Sequence, residues 1–127
     1  MSSHSDARAL TPGDRQVSDE TAAEIGRRGG MLGVSFYRGH LRPNGRATMT
    51  DVVAHLRHLA GAAGGPEHVG LGTDLDGGFT ASDAPIKDLA ELGELRNQLR
   101  RHFSPAQVAG VMGQNWIEFL RRSLPAR

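Results

Sequence analysis

One stretch of the sequence decides the fold class: Val69-Gly70-Leu71-Gly72-Thr73-Asp74-Leu75-Asp76-Gly77-Gly78. It is a short apolar run that ends in two carboxylates and a glycine turn. In an α/β protein, a parallel strand delivers its last residues into the crevice where ligands bind, and side chains two positions apart point the same way. We therefore expect Asp74 and Asp76 at the mouth of a site, sharing a face or straddling the strand end. For Asp76 a plain turn is the alternative, because Asp-Gly is common in turns.

The segments around this stretch alternate between short apolar runs and amphipathic runs, which favours parallel strands joined by helical crossovers. Strands are predicted at 31–37 and 68–74, and the nearly continuous apolar character of the first indicates burial on both faces. They are separated by about 30 residues, the size of a βαβ unit. The opening residues 1–5 look like the exit of another strand. Such a sheet would have open edges, which invite association, so a homo-oligomer is one expected state.

Four helices are expected, at 19–28, within the crossover between the two strands, at 86–102 and from 104 onward. The crossover helix buries one apolar face, and Gly113 divides the last helix. The N-terminal caps predicted for the first, second and fourth helices are Ser18, Thr48 paired with Asp51, and Ser104. The core stripe predicted for the third helix consists of Leu89, Leu92, Leu95 and Leu99.

Composition narrows the class of protein. The 127 residues fit one domain but fall short of a complete α/β barrel, which needs about 250. Fifteen basic and fourteen acidic residues give a charge of +1, so no nucleic-acid or anionic-membrane partner is indicated. The absence of cysteine leaves His, Asp and Glu as metal ligands. No apolar run approaches the roughly 20 residues of a membrane span, and no signal pattern opens the chain, so the default location is cytoplasmic.

Two residues near the start of the chain are candidates for chemistry. His4 lies where a barrel strand would end, and a neutral imidazole there can bind a metal or exchange protons. The alternative is an exposed histidine with no role. Arg15 lies in the following loop, and its planar guanidinium suits a substrate carboxylate. The alternative is a surface ion pair with Asp14 or Asp19.

The remaining histidines and a short glycine motif give weaker evidence for function. His55 and His58 lie three apart on the crossover helix, and we interpret them as a partly solvated flank, because the metalloprotease helix motif needs a four-residue separation with an intervening glutamate. The run Gly70-Leu71-Gly72 is too short for a dinucleotide fingerprint, and no P-loop lysine follows, which excludes nucleotide binding. The remaining histidines, His40, His68 and His102, form no pattern.

Five segments, in this order, closely resemble the carboxy-terminal part of the membrane (renal) dipeptidase family. They are Ser3-His4-Ser5 with Ala7-Arg8, Asp14-Arg15, Ser35-Phe36-Tyr37, Gly72-Thr73-Asp74-Leu75-Asp76-Gly77 and Asn115-Trp116. Those enzymes are zinc metallopeptidases with an (α/β)8 barrel and two metal ions. They hydrolyse dipeptides and, in some members, β-lactams or dipeptides with D-amino acids. The resemblance implies that residues 1–127 form a single segment of such a barrel, the last β-α-β-α-β-α units, with parallel strands and helices outside.

The resemblance also implies roles for individual residues. His4 takes the position of a zinc-ligating histidine, Arg15 that of the residue that grips the substrate's carboxylate, and Asp74 that of the active-site aspartate, which binds the substrate amine or manages a proton. Relatives often have asparagine at the position of Gln16 and a small or amide residue at that of Asp6. The family's other metal ligands lie in earlier strands, so zinc-dependent dipeptide hydrolysis requires a complete barrel and this chain alone is expected to be inactive.

Two other functions are compatible with the pattern. The chain would be a non-catalytic α/β module if it bound itself or another protein through open sheet edges. The segment from Leu71 to Gly77, an Asp-x-Asp-Gly motif after an apolar strand, also resembles the nucleophile loop of a magnesium-dependent haloacid-dehalogenase-like phosphatase. That motif usually has a threonine after its glycine and a lysine with an acidic pair downstream, whereas Gly78 follows here and Lys87 is the only lysine. The phosphatase interpretation is therefore disfavoured.

Overall fold

The structure of the protein is a computed structural model that describes residues 1–125. Its helices and strands, in chain order, are α1 (Asp19–Arg27), β1 (Leu32–Val34), α2 (Arg38–Leu41), α3 (Met49–Ala63), β2 (Val69–Leu71), α4 (Leu92–Leu99), α5 (Pro105–Ala109) and α6 (Asn115–Ser123). Short 3-10 turns lie at Pro66–His68, Ala81–Asp83 and Leu89–Glu91, and a π-helical turn at Gly110–Gln114 joins α5 to α6.

The sheet is parallel, as predicted for an α/β protein. β1 pairs with β2 in the register Leu32 to Val69, Gly33 to Gly70 and Val34 to Leu71. On the other side of β1, Ser2 forms an isolated parallel bridge with Leu32, so the exit of a further strand lies where the sequence indicated it. The regular strands are shorter than the predicted 31–37 and 68–74, because His68 belongs to a 3-10 turn and the pairing beyond Val34 is irregular. The carboxyl ends of all three segments lie at one edge.

Helix α3 covers the sheet and supplies much of the core. Its predicted capping box is present, since the Thr48 N–H donates to Asp51 Oδ2 at 2.7 Å and the Asp51 N–H donates to Thr48 Oγ1 at 3.4 Å. Helix α1 lies against α3 at Gly26, where a Cβ atom would overlap the backbone of Ala63. The largest fully buried apolar side chains are Phe36, Met31, Leu32, Leu56, Leu59, Ile86, Leu95, Leu99, Val34, Val52 and Val69.

The third predicted helix is partly wrong. Regular α-helix begins at Leu92 rather than at position 86, because Asp88 accepts a hydrogen bond from the Ala90 N–H at 2.8 Å and starts a 3-10 turn there. Leu89 is 66% exposed and does not belong to the core. The other end of the predicted stripe is confirmed, since Leu95 and Leu99 are fully buried.

The last helical region covers the outer edge of β2. Ser104 caps α5 as predicted, and non-helical backbone at Gly113 divides the segment as predicted. At the start of α6, Asn115 Nδ2 donates to the Val69 carbonyl at 2.8 Å and Trp116 Nε1 donates to the Leu71 carbonyl at 3.0 Å. The expected open edge is therefore absent on this side of the sheet, because side chains occupy the carbonyls that another strand would use. Within residues 1–125, no helix has the length and apolarity needed to span a membrane.

Candidate functional site

The candidate site lies at the carboxyl edge of the parallel sheet. His4 follows the Ser2 bridge, Ser35 follows β1, and Asp74 follows β2, so three separate parts of the chain meet there. The Phe36 N–H donates to the Thr73 carbonyl at 3.0 Å and keeps the two loops together just beyond the strands. This is the edge at which open α/β sheets bind ligands.

His4 is held close to the sheet by two glycines. A Cβ atom at Gly33 or at Gly72 would overlap the Ser3 carbonyl oxygen, so only glycine lets this segment approach both strands. Ser3 Oγ lies 2.7 Å from His4 Nδ1. Within residues 1–125 the Nε2 atom of His4 has no hydrogen-bond partner, and the ring is half-buried. Such an arrangement, with one ring nitrogen held and the other free, is typical of a metal-ligating histidine.

Asp6 joins the His4 segment to the end of β1. Its carboxylate Oδ1 accepts from the Ser35 N–H at 2.8 Å, and its side chain is fully buried. Burial raises the pKa of the Asp6 carboxyl to about 7, although the Ser35 hydrogen bond and the charge of Arg15 act in the opposite direction. The Oδ2 atom is buried without a hydrogen-bond partner in the described part of the chain. Asp6 is therefore part of the site's framework, a position that the sequence singled out only as a departure from its relatives.

The loop that carries Arg15 is braced on both sides. The Asp6 N–H donates to Gln16 Oε1 at 3.0 Å, and Arg8 Nη2 donates to the Gln16 carbonyl at 2.9 Å. Arg15 itself is exposed and forms no ion pair among residues 1–125. The surface pair with Asp19 is not observed, since that carboxylate lies 2.7 Å from His58 Nε2. The Arg15 guanidinium therefore remains available to a ligand.

The two aspartates after β2 have unusual backbone conformations. The φ angle is 57° at Asp74 and 64° at Asp76, in the left-handed region that costs a non-glycine residue about 1–3 kcal/mol. The Gly77 N–H donates to the Asp74 carbonyl at 2.9 Å and closes a turn. Asp76 is exposed in this turn, as the simple turn interpretation predicts, whereas Asp74 is half-buried. Both residues share this backbone strain, so it is the partial burial of Asp74 next to the strand end that distinguishes it from Asp76.

His40 is a site residue that the sequence reasoning missed. It lies on α2, and its Nδ1 atom is 3.3 Å from Ser35 Oγ. Burial lowers the pKa of His40, the charges of Arg15 and His4 lower it further, and Asp74 raises it. The contact with Ser35, which directly follows β1, places His40 beside the carboxyl edge of the sheet. The only available signal was its place shortly after a strand end, where loops carry function in α/β folds.

The interpretation of His55 as a partly solvated flank is wrong. His55 is 1% exposed, its Nδ1 accepts from the Ala7 N–H at 2.9 Å, and its Nε2 donates to the Leu41 carbonyl at 2.9 Å. Burial lowers the pKa of the His55 imidazole, which favours the neutral form that these two bonds require. His55 therefore fastens the segment after His4 to the end of α2, the helix that carries His40.

The described residues do not form a metal site by themselves. Among residues 1–125 no cluster of three or more His, Asp or Glu side chains has the geometry to hold a metal ion. Catalytic zinc ordinarily has three protein ligands, and the described side chains at this edge of the sheet do not form such a set. The residues present therefore do not fit a complete zinc site.

Comparison with known proteins identifies relatives of the whole segment. Residues 1–124 match the family model described as membrane dipeptidase, peptidase family M19. An uncharacterized dipeptidase of Schizosaccharomyces pombe is 33% identical over 125 residues, which cover 95% of this chain and 30% of that protein. A dipeptidase of Aspergillus terreus is 32% identical over 123 residues, covering 94% of this chain and 30% of that protein.

The fold agrees with this match. A crystal structure of a metallopeptidase from Rhodobacter sphaeroides, liganded with a phosphinate mimic of the dipeptide L-Ala-D-Ala, superposes with a TM-score of 0.84 and 31% identity. The match covers 95% of this chain and 35% of that one, so the chain spans about a third of the length of its relatives. Neither the phosphatase nor the non-catalytic module gains support from these comparisons. Because the family model covers nearly the entire sequence, the chain belongs to the membrane dipeptidase family of metallopeptidases.

Proposed function

We propose that this chain supplies one part of the active site of a zinc-dependent dipeptidase, as the last strands of a (β/α)8 barrel with its helices outside. The observation that carries the proposal is the position of His4, Ser35 and Asp74 just after three parallel segments, at the carboxyl edge of the sheet, in a member of the dipeptidase family. Hydrolysis requires the rest of the barrel, since these residues hold no complete metal site.

Two side chains suit the charged ends of a dipeptide. The exposed Arg15 guanidinium, held on a braced loop without an ion pair in residues 1–125, can bind a terminal carboxylate through two parallel hydrogen bonds. The Asp74 carboxylate follows β2 and suits a terminal ammonium. A free dipeptide carries both charges, whereas an internal peptide segment carries neither. Binding sites for both terminal charges would therefore favour free peptides over internal peptide segments.

His4 is proposed as one zinc ligand through its free Nε2 atom, with Ser3 Oγ holding the other ring nitrogen. The remaining ligands of a two-zinc site would have to come from outside residues 1–125. With those further ligands, zinc held in part by His4 would polarise the scissile carbonyl and activate a water. The contribution of this chain is to orient His4 and to fix both ends of the substrate.

The test is reconstitution of the barrel. The chain is fused to the preceding barrel region of the Rhodobacter sphaeroides relative, and hydrolysis of L-L and L-D dipeptides is measured with and without zinc. Arg15→Gln and Asp74→Asn should each lower kcat/KM by about 10- to 150-fold, the loss of a charged hydrogen bond worth about 1.5–3 kcal/mol. Arg57→Gln, which changes an exposed arginine on α3, is the matched control. Turnover that is unchanged in both site variants would refute the assigned roles.

A further inference from the structure

The loops after β1 and β2 enclose a cleft that neither the family match nor the proposed catalytic residues explain. It has a volume of about 630 Å³ and is lined by Arg38, Gly45, Arg46, Ala81, Ser82 and Lys87. We call it the basic cleft. Its volume lies within the range of about 300–1,000 Å³ that is typical of small-molecule pockets.

The basic cleft concentrates positive charge. Three of its lining side chains are cationic and none is acidic. Arg38 is partly neutralised by Asp83, with 3.4 Å between Nε and Oδ1, but Arg46 and Lys87 form no side-chain ion pair or hydrogen bond within residues 1–125. Because the whole sequence has a charge of only +1, this is a local accumulation rather than general basicity. A concave surface lined by one sign of charge raises the local concentration of the opposite ion.

The basic cleft adjoins a second cavity beside the loop that follows β2. That cavity of about 450 Å³ shares Ala81 and Lys87 with the basic cleft and extends to Thr73 after β2, and the carboxylates of Asp76 and Asp88 also line it. Arg38, which lines the basic cleft, lies on the same short helix as His40. A ligand held at the strand ends can therefore extend a side chain toward Lys87.

We propose that the basic cleft binds a small anionic group. We assign this group to the side-chain carboxylate of a dipeptide that contains Glu or Asp, an assignment that rests on the proposed dipeptidase function. A free anion such as inorganic phosphate has the same chemistry and is the other source. In either case Arg46 and Lys87 contact the anion. Arg38 also contacts it when the anion replaces Asp83, whose Oδ1 lies 3.4 Å from Arg38 Nε.

A single lysine makes the binding measurable without turnover. Lys87 is the only lysine in the sequence, so reductive methylation with 13C-formaldehyde labels its amine and the chain's α-amine and leaves both charged. The labelled 127-residue chain, with its fold checked by circular dichroism, is titrated with Ala-Glu, with the neutral isostere Ala-Gln and with inorganic phosphate. We expect the Lys87 signal to shift saturably with an anion while the α-amine signal stays in place. Arg46→Gln should weaken binding by about two- to fivefold, as expected for one exposed ion pair, and Arg57→Gln should not.

The titrants distinguish the two sources. A shift that is stronger with Ala-Glu than with Ala-Gln or phosphate supports the substrate side chain. A shift with phosphate, and no difference between the two dipeptides, supports a free anion. The proposal is overturned if the Lys87 signal responds to neither anion, or if the α-amine signal shifts in parallel. Since no zinc and no hydrolysis are involved, failure of the dipeptidase assay would leave this result unaffected.

Discussion

Replacement of His55 by leucine tests whether a buried imidazole holds the candidate site together. His55 connects the Ala7 N–H to the Leu41 carbonyl, with 2.9 Å in each hydrogen bond. These two backbone groups belong to the segment after His4 and to the end of α2, so the imidazole joins two of the chain segments that meet at the site.

The expected loss follows from the groups left behind. Leucine fills a similar volume but leaves one buried N–H and one buried carbonyl without partners, and each costs about 1–3 kcal/mol. We therefore expect His55→Leu to lower the free energy of unfolding by about 2–6 kcal/mol. Small domains are stable by about 5–15 kcal/mol, so much of the stability of the fold depends on this side chain.

The assay is urea unfolding followed by far-UV circular dichroism and by the fluorescence of the only tryptophan. Two graded variants separate the hydrogen bonds. His55→Asn can keep an acceptor near the Ala7 N–H, and His55→Gln can keep a donor near the Leu41 carbonyl, so each should lose about half as much stability. His58→Leu, on the same helix but partly exposed, is the matched control. A loss below about 0.5 kcal/mol in His55→Leu, as for an ordinary surface change, would refute the reasoning.

Three further outcomes are expected. Burial lowers the pKa of His55 below its ordinary 6.5, so the unfolded chain takes up a proton at a higher pH than the folded chain does. The free energy of unfolding should therefore fall as the pH drops from 6.5 toward the pKa of the folded state. The urea midpoint of His55→Asn should not show this pH dependence. Gly72→Ala should lower the urea midpoint, since its Cβ would overlap the Ser3 carbonyl, whereas Gly61→Ala, which meets open space, should not. Trp116→Phe should cost about 0.5–1.5 kcal/mol through its lost hydrogen bond, and a midpoint equal to wild type would contradict the covered β2 edge.

Local signals in the sequence predicted the elements well. Ser18, Thr48 and Ser104 were identified as helix caps because the hydrogen bonds of a cap lie within three residues of one another. The predicted third helix started too early because the leucine stripe indicated its face but not its first turn, which Asp88 decides. Leu89 was placed in the core for the same reason.

The candidate site was predicted only in part. The resemblance of short motifs to a known family pointed to His4, Arg15 and Asp74; His4 and Asp74 follow parallel segments at one edge of the sheet, and Arg15 lies exposed on a loop. Their roles as metal ligand, carboxylate binder and catalytic aspartate stay predictions until the reconstituted enzyme is assayed. His40 was not predicted as a site residue, because no sequence motif in or next to its short helix distinguishes it from an ordinary surface histidine.

The sequence by itself determined the α/β class, the parallel arrangement of the strands and the family, because all three follow from local patterns. These patterns are the apolar periodicity, the cap residues and the short motifs. Only the tertiary structure decided that His55 is buried, that side chains at the start of α6 cover one sheet edge, and that His40 lies among the site residues. The physical reason is that each of these depends on partners distant in the chain. Parallel strands bring their carboxyl ends to one edge, and the environment of a side chain there is set by whichever segments fold beside it.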